Sequence, residues 1–198
     1  MAKAFARKKG RIVGRMDASE VDVVVQLLQQ TRDFVAPTHA ETGDPLMDLI
    51  AGMGASDAAP LEPEDPALLR LLPSAHRSDK DQAAEFRSLT EHSLRQRKTR
   101  NLDAAIAALG QGEGTRITLD NGQAQALAIA LTDVRLVLGE RLDLRTDEDS
   151  SALHDELRKA AQGGSTSDEL DPVRVQQMAY YDFLSWLQEG ITLALMDD

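Results

Sequence analysis

Apolar residues recur at the three- to four-residue spacing of an α-helix in four long segments of this chain. The first follows Asp17, which together with Glu20 forms a capping-box pattern. The last follows an Asp171-Pro172 pair, the usual way to place proline at the first helical position. We therefore predict four main helices, over residues 18–35, about 79–109, 122–142 and 172–195.

Two of these segments carry further predictions. Residues 122–142 are apolar on nearly all sides, which is typical of a central, buried helix. The segment before it has a charged middle, Arg95–Arg100, so we expect a break near residues 99–101. Its inner face should carry three apolar residues, namely Phe86, Leu89 and Leu94.

Two short stretches read as β-structure. Residues 5–16 alternate loosely about Gly10, as in a hairpin, and residues 115–119 are rich in β-formers. The fold class is therefore mainly α (α+β). We predict a bundle of about four main helices with a small antiparallel sheet formed by the N-terminal hairpin and residues 115–119.

The remaining segments fit one domain over residues 1–198. Short helices are expected at residues 66–72 and 151–161. The acidic, Pro- and Gly-rich segment at about 37–66 should be flexible, apart from a short helix around residues 46–53.

Composition excludes several chemistries. The chain has 198 residues and no cysteine, so it lacks disulfides, thiolate nucleophiles and Cys-ligated zinc. No histidine has another histidine, an aspartate or a glutamate three or four residues away on a predicted helix, so no catalytic, cofactor or metal residues are predicted. No apolar run reaches the ~18 residues of a membrane span, and cytoplasm is the expected location. The oligomeric state stays open.

Charge is distributed unevenly along the chain. There are 33 acidic side chains against 22 Lys and Arg, a net charge of −11, yet residues 1–16 hold six cations and no acid. A second basic stretch covers residues 77–100. The hairpin cations either protect a sheet edge or bind an acidic protein or nucleic acid. The aromatic cluster Tyr180–Trp186 of the last helix is either core or a partner groove with Trp186 as its anchor. The partner-binding candidates are therefore Lys8, Lys9, Arg11, Arg15 and Trp186.

Asp133 and Arg135 interrupt the apolar helix and are expected to form a polar clamp with other helices. Arg87 or Arg95 is the expected partner of Asp133, and Glu189 that of Arg135. The alternative is an arginine that anchors a ligand. Acidic runs such as Asp147–Asp149 and residues 62–65 would suit a carboxylate-based hydrolase, the weakest hypothesis, because solvated carboxylates are not tuned for catalysis.

Nearly the whole chain, except residues 37–65, resembles a known family, most clearly in its second half. Residues 133–142 (DVRLVLGERL) and 181–189 (YDFLSWLQE), with 85–91 (EFRSLTE) and 94–98 (LRQRK), are similar to the actinobacterial family of unknown function numbered two thousand and seventeen. Members are encoded beside the Clp protease adaptor, and the family carries the label of an oxidative-stress transcriptional regulator.

The resemblance implies a non-enzymatic regulatory protein that acts through protein contacts, with partners in transcription or proteolysis. Without cysteine, this chain has no disulfide switch to sense oxidants. A nucleic-acid-binding module that uses residues 3–15 and 77–100 is the alternative.

Overall fold

The computed structural model describes residues 3–37, 62–74, 79–112, 115–161 and 171–197. Most of the segment 37–66, including the helix expected at residues 46–53, lies outside them. The described residues form three strands and six helices. In chain order these are β1 (Lys3–Lys8), β2 (Arg11–Arg15), α1 (Ala18–Val35), α2 (Pro66–Leu71), α3 (Lys80–Gly110), β3 (Arg116–Leu119), α4 (Asn121–Arg141), α5 (Asp147–Ala161) and α6 (Pro172–Met196).

Capping side chains set the helix starts as predicted. The Asp17 carboxylate accepts from the Glu20 amide at 3.0 Å, and the Glu20 carboxylate accepts from the Asp17 amide at 2.8 Å. The same reciprocal pair, Asp120 with Gln123, begins α4. Each pair satisfies amide groups that the first helical turn leaves without partners.

The predicted hairpin and third strand form one antiparallel sheet in the order β1-β2-β3. The chain reverses at Lys9 and Gly10, which both have positive φ. The inner face packs its apolar side chains against α4 and α6; they are Phe5, Ile12, Ile117 and Leu119. The sheet therefore covers one side of the bundle and leaves its other face outward.

Helix α4 is the centre of the bundle, as predicted. It contacts α1, α2, α3 and α6 as well as two strands. Leu127, Leu131 and Val134 are at most 2% exposed. The helix is not buried all round, however, because Ile129 and Leu136 are 47% and 36% exposed.

Two predictions for α3 are wrong. The helix runs unbroken from Lys80 to Gly110, with neither glycine nor proline before its last residue. Of the three residues predicted for the inner face of its first half, Phe86 and Leu89 are 47% and 76% exposed, whereas Leu94 packs against the core as predicted. The buried positions there belong to Arg87 and to Arg95, since their charges are matched by acids on the same surface.

Helix α5 begins at Asp147, earlier than predicted, because Thr146 and Asp149 cap it reciprocally. It packs on the body through a small second cluster formed by Leu142, Leu153 and Met178. None of the helices in the described ranges is long and apolar enough to cross a membrane.

Candidate functional site

The outer face of the sheet collects the cations predicted for partner binding. Lys8 lies opposite Arg11 in the β1–β2 register. Arg15 lies opposite Arg116 in the β2–β3 register, and all four side chains are exposed. Directly opposed residues of antiparallel strands share a face, so these four form two cation pairs on one surface, which we call the basic face. Lys9 is exposed in the adjoining turn.

Neutral residues separate the two pairs. Ala6, Val13 and Thr118 lie opposite one another in the middle of the face. Arg11 and Arg15 are four residues apart on β2, which corresponds to about 13 Å at the rise of an extended strand. No acid occupies this face among the described side chains.

Arg116 is the member of the basic face that sequence reasoning missed. The sequence predicts a strand over residues 115–119, and in the structure burial alternates along it, with Ile117 and Leu119 buried. Arg116 and Thr118 must then point outward. Only the pairing register, which the sequence does not give, brings Arg116 to Arg15.

Arg7 has a different role from its neighbours. Its guanidinium donates to the carbonyl oxygens of Ala194 at 3.2 Å and Leu195 at 3.5 Å. It also donates to the Asn121 side chain at 3.3 Å. A cation at the last carbonyls of α6 satisfies groups that the helix leaves open and complements its dipole. Arg7 therefore fastens β1 to α6 and does not contribute to the basic face.

The second basic stretch, residues 77–100, does not add a second charged surface in the part that the structure describes. Arg95 pairs with Glu91 at 2.7 Å, and Arg87 lies 3.7 Å from the same carboxylate. Lys98 pairs with Asp133. Of the cations with described side chains in this stretch, Arg97 and Arg100 are exposed.

Asp133 forms the predicted interhelical pair, but with another partner. Its Oδ1 accepts from Lys98 Nζ of α3 at 2.6 Å, and neither Arg87 nor Arg95 reaches it. Burial raises the pKa of Asp133, and the Lys98 hydrogen bond opposes that rise. Its Oδ2 is buried without a hydrogen-bond partner among the described residues. The arrangement is a packing contact between α3 and α4.

Arg135 pairs with no acid among the residues that the structure describes, so that prediction is wrong. It donates to Gln188 Oε1 at 2.7 Å and to the Tyr181 hydroxyl at 3.3 Å. Its guanidinium also lies over the Tyr181 ring, 5.0 Å from the centroid. Glu189 is exposed, because one residue along a helix turns the side chain by about 100°. Arg135 is held by neutral groups of α6.

Trp186, the remaining partner-binding candidate, lies on the outward side of α6. It is 38% exposed and stacks on Phe183 with ring centroids 6.2 Å apart. Leu193, two turns further along, is 58% exposed. These exposed apolar residues lie on α6, whereas the basic face lies on the sheet.

One aspartate of each acidic run caps a helix. Hydrogen bonds from the Arg145 and Thr146 amides to the Asp149 carboxylate lower the pKa of that group. Asp65 caps α2, and its hydrogen bond from Arg141 lowers its pKa. Both aspartates are half-buried, and their lowered pKa values are the opposite of what a catalytic acid needs. Within the described ranges, no three His, Asp or Glu side chains come together as metal ligands would.

Comparison with known proteins assigns a family and nothing further. No curated protein matches the chain, and no solved structure matches it. A family model described as "Domain of unknown function (DUF2017)" matches residues 2–195. The sequence segments that resembled this family lie on α3, α4 and α6, the helices that pack together around Asp133 and Arg135. The chain therefore belongs to the DUF2017 family.

Proposed function

We propose that this protein is a cytoplasmic, non-enzymatic regulatory protein that acts by binding an acidic protein partner through the basic face. One observation carries the proposal. Four exposed cations, Lys8, Arg11, Arg15 and Arg116, share a sheet face without a described acid, on a chain whose net charge is −11. Such a local reversal of charge steers an oppositely charged partner to one place.

The surroundings favour a protein over a nucleic acid. A duplex is charged along its whole length, so an acidic body repels it beyond the small sheet. Single strands are bound by stacking bases on aromatic side chains, and the centre of this face holds Ala6, Val13 and Thr118 instead. In the second basic stretch, Arg87, Arg95 and Lys98, three of the five cations with described side chains, form ion pairs.

The regulated process follows from the family resemblance. The family that this chain resembles carries the label of an oxidative-stress transcriptional regulator, and its members are encoded beside the Clp protease adaptor. Both features of the family favour a partner in transcription or proteolysis. Signals that act by disulfide formation do not apply to a chain without cysteine. Regulation through this protein then depends on binding rather than on thiol chemistry.

The test compares two charge-reversed variants. Arg11→Glu/Arg15→Glu alters the basic face, and Arg97→Glu/Arg100→Glu changes the same number of exposed cations on α3. Both should retain near-native melting temperatures, because exposed charges contribute little to folding. Each protein is used as bait in an extract of its native cell at low and at physiological salt, and captured proteins are identified by mass spectrometry.

We expect at least one acidic protein to be captured by the wild type and the α3 variant and lost from the basic-face variant. Its recovery should fall as salt rises. Equal recovery with both variants would refute the proposal. Capture that nuclease treatment abolishes would replace the protein partner with a nucleic acid.

A further inference from the structure

We infer that the basic face recognises an extended polypeptide segment with two acidic residues four positions apart and a small apolar residue midway between them. The inference rests on the proposed function and specifies the chemistry of its partner.

The spacing of the cation pairs sets the spacing of the carboxylates. The Lys8–Arg11 pair and the Arg15–Arg116 pair are separated by the length of β2, about 13 Å. An extended chain rises about 3.3 Å per residue, so its positions i and i+4 span the same distance and project to the same side. Each carboxylate then meets two cations from neighbouring strands, which lie about 4.8 Å apart.

The middle of the face sets the residue between the carboxylates. In an extended segment, position i+2 points to the same side as i and i+4. It therefore lands on Ala6, Val13 and Thr118, which offer apolar carbon and a hydroxyl but no charge. Val13 is only 9% exposed, so its neighbours already cover most of it, and the accessible groups there belong to Ala6 and Thr118. A small apolar side chain fits the middle of the face, while a third carboxylate there would have no cation opposite it.

A helical partner does not fit the same spacing. At 1.5 Å per residue, about 13 Å corresponds to eight or nine helical residues. Side chains eight residues apart differ by about 80° around the axis, so the second carboxylate turns away from the sheet. The geometry therefore favours the extended conformation.

Fluorescence polarisation with synthetic peptides tests the inference. The matched probe is a labelled, serine-rich peptide with aspartates at its third and seventh positions and valine at its fifth. The control probe has the same composition with the two aspartates adjacent, so its total charge is unchanged. An oligothymidylate of similar length is the nucleic-acid probe. Arg15→Ala/Arg116→Ala removes one cation pair, and Arg97→Ala/Arg100→Ala is its control.

At low salt, we expect the matched peptide to bind the wild type about tenfold more tightly than the control peptide, because both carboxylates then make charge-assisted contacts. Removing the Arg15–Arg116 pair should abolish that preference, and the α3 variant should keep it. Equal binding of the two peptides would refute the spacing but leave the proposed function intact if the pull-down still depends on the basic face. Tighter binding of the oligothymidylate than of the matched peptide would overturn the acidic-segment inference.

Discussion

The substitution Lys98→Ala measures how much the free energy of unfolding falls when the buried Asp133 carboxylate is left unpaired. Lys98 Nζ lies 2.6 Å from Asp133 Oδ1, and the two side chains are 17% and 4% exposed. Removing one partner of a buried ion pair typically costs about 3–5 kcal/mol, because the remaining charge is neither hydrated nor paired. In a domain of this size each kcal/mol lowers the melting temperature by roughly 2–4 °C, so we expect a fall of about 6–20 °C.

The assay is urea unfolding followed by circular dichroism, with thermal melts alongside. Arg97→Ala is the matched control, since Arg97 is the exposed neighbour of Lys98 on the same helix. Its loss should stay within about 0.5 kcal/mol. The double variant Lys98→Met/Asp133→Leu should recover most of the stability lost in Lys98→Ala, because apolar replacement of a buried pair is commonly neutral or stabilising.

The pH dependence gives a second measurement on the same variants. Burial raises the pKa of Asp133 above its ordinary value of 3.8, and without Lys98 the opposing hydrogen bond is lost, so the pKa rises further. The folded state then holds a proton that the unfolded state releases, so stability falls as pH rises through the folded pKa. The loss of unfolding free energy in Lys98→Ala, relative to the wild type, should therefore be larger at pH 8 than at pH 5. A deficit that matches Arg97→Ala, or one that does not change with pH, would refute the reasoning.

Three further changes test the core, the sheet and α5. Leu131→Ala should cost about 2–5 kcal/mol in urea unfolding, because Leu131 is fully buried in α4. Gly14→Ala should cost about 1–3 kcal/mol, because its Cβ would lie 2.7 Å from the buried Phe5 ring; Phe5→Leu in the same background should recover part of the loss. The Asp182 hydrogen bond raises the pKa of His154, so the stability from this contact is full below pH 6.5 and is lost as pH rises through the higher folded pKa. Hydrogen exchange in α5 should therefore be faster at pH 8.5 than at pH 5.5 after correction for intrinsic exchange, and His154→Gln should remove the difference.

Each of these predictions has an outcome that contradicts it. The central position of α4 would be contradicted if Leu131→Ala lowered the melting temperature no more than Leu136→Ala does. Leu136 is a partly exposed site on the same helix. The close packing of the Phe5 ring on Gly14 would be contradicted if Gly14→Ala left the free energy of unfolding unchanged. The α5 contact fails if corrected exchange is the same at both pH values in the wild type. Because the His154–Asp182 pair is about half exposed, its total effect on global stability should stay under about 1 kcal/mol.

Local signals in the sequence were sufficient to predict where the helices begin and which segments form the sheet. A capping box such as Asp17 with Glu20 satisfies the helix end with residues three positions apart, so no distant contact is needed to read it. The hairpin at Gly10 is similarly local, because the turn itself requires positive φ.

Which of two neighbouring side chains makes a given contact could be determined only from the three-dimensional packing. Lys98 rather than Arg95 meets Asp133, and Gln188 rather than Glu189 meets Arg135. Charge alone does not distinguish Lys98 from Arg95 and favours Glu189 over Gln188, but the rotation and axial shift of one helix on another decide which side chain makes the contact. The exposure of Leu89 has the same origin: periodicity finds a face, and packing determines whether that face is covered.

The fastening of β1 to α6 has a consequence for synthesis. Arg7 donates to the carbonyl of Ala194, 187 residues later, and the inner face of the hairpin packs on the same helix. At about 5–20 residues per second, the ribosome delivers α6 roughly ten to forty seconds after the hairpin. Until then the strands lack the helix against which they pack, and isolated hairpins are marginal in water. The basic face is therefore assembled late, so a nascent chain that still lacks α6 does not yet present its partner with a fixed surface.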